Sequence, residues 1–310
     1  MDFGVHLPLL AWGETRYDLA TLIEYVRTAD RLGFKAVSMN DHLQFRRPWL
    51  DGPTALASVL SVTGEMTVAT TITLAVVRGP VPLAKSLAAI DLLSGGRLMV
   101  GVGPGSYKPD YEAEGVSWDE RWPRFEESIR ALRALWRPDG EPFEGAFYST
   151  RDIRLEPPPA QAGGPPIWVG SWGSDAGLRR VARLGDGWLA SAYNTDPQGF
   201  AKGLAGLREL LPSHGKDPET FPNGLATMMF HVEEDRAKAR RVLEEWVGPA
   251  LGRDPDELGD RLLVAPAEEC AERLRRYEEA GVHRVFLWPV GEPVAQLELF
   301  SDRVAPLLQG

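Results

Sequence analysis

Eight short apolar runs, each followed by a stretch of helical period, constrain this chain more than any other feature. The runs fall near residues 3–7 (FGVHL), 36–40 (AVSMN), 67–75 (TVATTITLA), 98–102 (LMVGV), 167–171 (IWVGS), 187–191 (GWLAS), 226–232 (ATMMFHV) and 284–288 (RVFLW). Short β-branched or apolar runs alternating with 3.6-residue periodicity mark βα units. Leu19, Leu22, Ile23, Val26 and Ala29 recur at three- and four-residue steps and predict a helix over 17–33. Over 119–137 the stripe Trp122, Phe125, Ile129, Leu132 and Trp136 predicts another, with its aromatics in the core. Gly33, Gly95, Gly96, Gly185 and Gly281 stand where helix gives way to strand, the place for a left-handed cap. Parallel strands each need a crossover, and eight such units suit one closed (β/α)8 barrel, an α/β fold of a single domain over 1–310. An open doubly wound sheet is the alternative. Two longer stretches, 103–118 and 138–166, follow the fourth strand. The second carries Pro157-Pro158-Pro159 and Pro165-Pro166, and as a structured excursion it is expected to rise over the C-terminal mouth, where such barrels keep their sites.

Composition removes several function classes. Thirty-four Lys+Arg against 44 Asp+Glu leave a net charge of −10, contrary to the concentrated basic face that nucleic acid needs. No run of ~18 apolar residues is present, and Met1-Asp2-Phe3-Gly4-Val5-His6 has no basic or apolar leader, so a cytoplasmic protein without a membrane partner is expected. Cys270 is alone in a charged helical stretch and reads as buried filler. Neither His-x-His nor His-Glu-x-x-His occurs, so no metal is expected, and no Gly-x-Ser-x-Gly elbow is found. The six lysines read as helix or loop positions, which removes a Schiff-base aldolase.

Chemistry in a barrel belongs where strands end. Gly101-Val102-Gly103-Pro104-Gly105 is a poor dinucleotide fingerprint, because its last glycine is misplaced and Lys108-Pro109-Asp110 is not expected to open a helix. It reads better as a strand end stripped of side chains so that a flat ring can approach the backbone. Gly170-Ser171-Trp172-Gly173-Ser174-Asp175 follows a strand and opens a helix, which suits a phosphate. Capping alone explains Ser174 but not the two glycines.

With these motifs in place the chain resembles the bacterial luciferase-like family of flavin-type oxidoreductases over nearly its whole length. Leu83-Ala84-Lys85, then Asp91-Leu92-Leu93-Ser94-Gly95-Gly96-Arg97-Leu98-Met99-Val100-Gly101-Val102-Gly103-Pro104-Gly105, carries most of the likeness. Asn40-Asp41-His42, Glu114-Gly115-Val116, Glu120-Arg121, Ile167-Trp168-Val169-Gly170-Ser171 and Gly185-Asp186-Gly187-Trp188 add to it. The resemblance implies a barrel, usually a homodimer, with reduced FMN or the deazaflavin coenzyme F420 at its mouth and a small-molecule substrate. Carried over, Asp41 and His42 lie beside the ring and a non-prolyl cis peptide falls near Thr70-Thr71; His6, at the end of the first strand, either lines the inner wall or is a core histidine. Gly103, Pro104 and Gly105 pass the ring edge, and Gly170, Ser171, Trp172, Gly173 and Ser174 hold the phosphate. His42 is then the expected proton carrier, and Asp41 either orients its imidazole or caps the loop.

Coenzyme F420 is favoured, since Arg46, Arg47 and Lys108 offer a basic rim for its oligoglutamate tail and the chain lacks the extra length of many two-component FMN monooxygenases. An FMN-dependent monooxygenase fed by a separate reductase is the alternative, followed by a noncatalytic flavin-binding barrel and a metal-dependent hydrolase. Ser106-Tyr107 stands where some sugar dehydrogenases of the family carry an acid, which counts against a sugar substrate. Trp12, Trp49 and Tyr107 point to an apolar or flat one.

Overall fold

The computed structural model describes residues 1–13, 17–137 and 140–308. Residues 138 and 139 of the expected excursion, and 14–16, 309 and 310 of the expected domain, lie outside the described residues. Nine parallel strands are found among them: β1 Asp2–His6, β2 Ala36–Met39, β3 Thr67–Leu74, β4 Leu98–Gly103, β5 Ile167–Gly170, β6 Gly187–Ser191, β7 Asn223–Val232, β8 Leu263–Ala265 and β9 Arg284–Pro289. Strands β1 to β7 pair in sequence, β7 pairs β9, and β9 returns to β1, which closes an eight-stave barrel. All eight apolar runs are staves. The short β8 was not read from the sequence; it lies outside the ring, against Phe230, His231 and Val232 at the far end of β7. An open sheet is excluded by the β9–β1 pairing.

Most staves are buried along their length, because the barrel interior covers one face and helices the other. Inside, Trp168 and Phe286 meet Ala36, Ala69, Met99, Leu189 and Ala226. The two rings fit because the facing staves carry glycine. A Cβ at Gly187 would stand 2.6 Å from the Trp168 ring, and one at Gly4 2.9 Å from Phe286. These bulky side chains fill the inside of the barrel, and the open space is left at the carboxyl ends of the staves.

The helix expected over 17–33 spans Leu19–Arg31, and that over 119–137 spans Arg121–Leu135 after a turn at Trp118–Glu120. Phe125, Ile129, Leu132 and Trp136 are core, but Trp122 is 42% exposed, because the first turn of its helix stands at the mouth. Gly33, Gly95, Gly96 and Gly281 adopt positive φ, whereas Gly185 caps its helix in extended backbone. The two long stretches part company. Ser106, Tyr107 and Trp118 of the first line cavities at the mouth. No described residue of the second lines them: Phe147 lies under Arg124, the Glu127 carboxylate accepts from the backbone N–H groups of residues 146–148, and Gln161 binds Asp91 and the Leu98 carbonyl. Lys108-Pro109-Asp110 does open a helix, Lys108–Ala113, with proline in its first turn, where a missing N–H costs nothing.

Candidate active site

A cavity of about 370 Å³ opens at the carboxyl ends of β2 to β7. Thr71, Ile72 and the turn Gly103-Pro104-Gly105 line it, and beside them, after the neighbouring strand β5, the turn from Gly170 to Gly177. The register of β3 against β4 shifts between Thr70 and Thr73, and the Thr71–Ile72 peptide bond is cis, one bond beyond the expected pair. Asn40 clamps this bulge, its Oδ1 accepting from the N–H groups of Asp41 at 2.7 Å and Ile72 at 3.2 Å. The side chain of Ile72 takes up the space that a Cβ at Gly103 would need, at 2.5 Å from its Cδ1. The glycine therefore makes room for Ile72, and Ile72 rather than bare backbone presents the flat surface.

His42 stands where this cavity meets a second of about 520 Å³; Asn40, Ser106, Trp172 and Tyr193 line both. Its Nδ1 lies 2.8 Å from Asp110 Oδ2. The other Asp110 oxygen accepts from the backbone N–H groups of Leu43 at 3.0 Å and Gln44 at 2.9 Å. The imidazole packs against Phe45 and, edge-on, against Trp49 and Tyr107. Asp41 does not orient it. The Asp41 carboxylate is fully buried and points the other way, accepting from Arg78 Nε at 2.6 Å and Nη2 at 2.7 Å, Thr73 Oγ1 at 2.9 Å and Leu74 N–H at 3.2 Å. Adjacent residues at a strand end face opposite ways, so one neighbour can enter the cavity while the other locks the framework.

After β5, Ser174 caps the helix Asp175–Leu184, its Oγ accepting from Gly177 N–H, and Ser171 Oγ accepts from Gly173 N–H. Gly173 has φ +90° and faces open space. The first N–H groups of a helix lack intrahelical partners and carry the positive end of its dipole. Two guanidinium groups line the same cavity: Arg180, bound to Glu126 at 3.1 Å and set over the Trp122 ring, and Arg121, set over Trp118. Each fork has more donors than these contacts use. Hydroxyls, free N–H groups and two fixed cations form a donor set that fits a phosphate.

The profile of the luciferase-like monooxygenase family matches residues 1–284. This chain belongs to the luciferase-like monooxygenase family. Among its relatives, the F420-dependent hydroxymycolic acid dehydrogenase of Mycobacterium tuberculosis is 27% identical over 93% of this chain and 84% of that protein. The F420-dependent glucose-6-phosphate dehydrogenase of Amycolatopsis mediterranei is 26% identical over 93% and 94%. The solved structure of an F420-dependent secondary alcohol dehydrogenase with an F420–acetone adduct covers 100% of this chain and 99% of its own, at TM-score 0.84 and 20% identity. The monooxygenase RslO1 from Streptomyces bottropensis gives 0.83 at 24% identity over 99% of each chain. These two structures speak for the fold.

Within this family barrel the expected residues divide. Asp41, His42, Thr71, Gly103, Pro104, Gly105, Gly170, Ser171, Trp172 and Ser174 line the cavity, and Gly173, at φ +90°, shapes the turn between Trp172 and Ser174. Thr70 does not, since its Oγ1 donates to the Gly101 carbonyl at 2.6 Å within the barrel wall. His6 lies beneath the mouth, stacked on Trp288 with ring centroids 3.7 Å apart, and its Nε2 is buried without a hydrogen-bond partner. Arg46 lines the second cavity, Arg47 lies over Trp12, and Lys108 pairs with Glu112, so the cations beside the phosphate turn are Arg121 and Arg180 instead. Asp110 was missed with its helix; Arg121 stood in the Glu120-Arg121 motif, and Arg180 had no signal beyond its place one turn and a half into the helix after the glycines. Cys270 is buried and its thiol is pushed up to about 12 by burial, as expected of filler.

Burial pushes the His6 imidazole from 6.5 down to about 3, opposed by its backbone hydrogen bond at Leu7. The unfolded chain therefore takes up this proton first, so stability is full above about pH 6.5 and falls as acid is added toward 3. At pH 5 the loss is roughly 2 kcal/mol. In His6→Phe the difference between urea unfolding free energies at pH 7 and pH 5 should shrink by about that amount. An unchanged difference assigns the acid sensitivity to other groups.

Proposed function

We propose that this protein is a coenzyme F420-dependent oxidoreductase that exchanges a hydride with a small organic alcohol or carbonyl compound, His42 moving the proton. The observation that carries the reading is the position of His42, at the junction between a cavity whose glycine-serine turn suits a phosphate and a separate chamber lined by aromatic and charged side chains. The named activities of the relatives, over 93% of this chain, support the choice of deazaflavin. When bound, the deazaflavin supplies the two-electron partner for the hydride.

This chain's residues do the rest. The Gly170–Ser174 turn, with Arg121 and Arg180, holds the phosphate and the start of the anionic tail. Ile72, set by Asn40, backs the ring, and Gly103-Pro104-Gly105 runs along its edge. The second chamber takes the substrate beside Phe45, Trp49 and Tyr107, with Arg46, Arg253, Asp254 and Glu257 on its remaining wall. The rings suit a flat or apolar part of the substrate, and the charged groups a polar one.

Titrating F420 and FMN separately into the purified protein, followed by fluorescence, tests the cofactor. F420 should bind more tightly. Gly173→Val should weaken both by about tenfold or more, since a β-branched residue at φ +90° distorts the shared turn at a cost of order 1–3 kcal/mol. Tighter FMN binding, with turnover only when a reductase supplies reduced flavin, makes the protein an FMN-dependent monooxygenase. Binding of either cofactor without turnover on any alcohol or ketone leaves a flavin-binding barrel.

A further inference from the structure

We infer that Asp110 is the positioning residue of the site: it holds the His42 proton on Nδ1, so that Nε2 meets the substrate as a lone pair. The inference rests on the proton-transfer role given to His42 above, but its first test does not. Asp110 is 1% exposed, and its two oxygens divide their work. Oδ1 is filled by the N–H groups of Leu43 and Gln44, the two residues that follow His42 in the chain. Oδ2 is left for the imidazole at 2.8 Å. A carboxylate offers only acceptors, so the nitrogen that faces it must carry hydrogen. A neutral imidazole with hydrogen on Nδ1 has its lone pair on Nε2. The same three bonds tie the loop to the ring, so loop position and tautomer are set together. The helix Lys108–Ala113 brings Asp110 there from the end of β4, one stave removed from β2.

Nε2 is then poised as a base. When an alcohol is oxidised, its O–H bond breaks and the proton passes to Nε2. The carbonyl forms as the carbinol C–H bond loses hydride, for which the oxidised deazaflavin, when bound, would be the acceptor; in the reverse direction the same nitrogen would return the proton. Asp110 touches neither substrate nor cofactor and acts through His42.

Asp110→Asn is close in shape and carries one acceptor oxygen instead of two. With Oδ1 kept on the two loop N–H groups, its Nδ2–H turns toward His42 Nδ1. Two N–H groups cannot face each other, so the imidazole hydrogen must move to Nε2 and the lone pair leaves the cavity. The ¹⁵N shifts of the neutral His42 imidazole in the unliganded protein should report hydrogen on Nδ1 in wild type and on Nε2 in Asp110→Asn. Turnover at saturating F420 should fall by ~10²–10⁴-fold in the variant, the range for losing a general base, with its F420 Kd within about threefold of wild type. A wild-type imidazole carrying hydrogen on Nε2 overturns the inference without any variant, so it stays testable if Asp110→Asn does not fold. A shifted tautomer with turnover within threefold of wild type overturns the positioning role. Wild-type protein that binds no F420 and oxidises no alcohol defeats the proposed function, and the ¹⁵N shifts still decide whether Asp110 sets the tautomer.

Discussion

Replacing His42 with alanine should lower turnover by ~10²–10⁴-fold while the Kd for F420 stays within about threefold. The two halves of this expectation come from different parts of the site. Phosphate binding is assigned to the turn on β5, and ring packing to Ile72 and the turn after β4; neither wall contains the imidazole. His42 lies between that cavity and the aromatic chamber, and no other histidine lines either cavity. Loss of an imidazole that only pads the chamber would instead raise KM for substrate and leave kcat near wild type. Steady-state turnover at saturating F420, with binding measured separately, distinguishes the two. A fall in kcat of less than threefold makes His42 a wall of the chamber and not a proton carrier.

The fold was legible because barrel staves announce themselves twice, by short β-branched composition and by the helical period between them. Thr67–Leu74 and Leu98–Gly103 could hardly be read otherwise. What escaped was too short or too local. Leu263–Ala265 has three residues and is pinned only by its register against β7. The helix Lys108–Ala113 is six residues long and begins Lys-Pro, a pair that reads as a break unless its place beside His42 is known. Missing that helix meant missing Asp110. In the 138–166 stretch, position after β4 gives no hint of the carboxylates of Glu127 and Asp91, which accept from the backbone N–H groups of Phe147 and Gln161.

The site was legible to the extent that glycines and strand ends mark it. Direction was not. Periodicity places Asp41 and His42 at one strand end, but which of them enters the cavity depends on who receives the other, and Arg78 is 37 residues away. Likewise His6 sits at a strand end in sequence and under a stacked tryptophan in space. The functional glycine at 103 carries a similar lesson: its missing Cβ is used by Ile72, a neighbour that only the shifted register of β3 brings there.

Arg78→Ala should be the most destabilising single change at the mouth, with an expected loss of about 3–5 kcal/mol. Burial works against the Arg78 charge, and the hydrogen bonds and charges of Asp41 and Asp51 more than offset it, so the guanidinium lies above its usual range. Truncation leaves Asp41, fully buried, with Thr73 and Leu74 as its remaining donors and no countercharge. The Asp51 side of the network matters less, because Asp51 is 43% exposed and caps its helix at Thr54 regardless. Two controls separate the terms. Asp51→Asn should cost no more than about 1 kcal/mol. Arg78→Met combined with Asp41→Asn removes both charges, and should recover most of what Arg78→Ala loses, since the penalty comes from the unpaired charge. Urea unfolding of the four proteins gives the comparison. The consequence for the site follows from the same contacts. Asp41 holds Thr73 and Leu74 while Asn40 holds Ile72, so the bulge that backs the ring depends on one strand end and its arginine. Arg78→Ala should therefore weaken F420 binding even where enough protein remains folded to measure it. A stable variant with unchanged F420 affinity would mean that Asn40 alone sets the bulge.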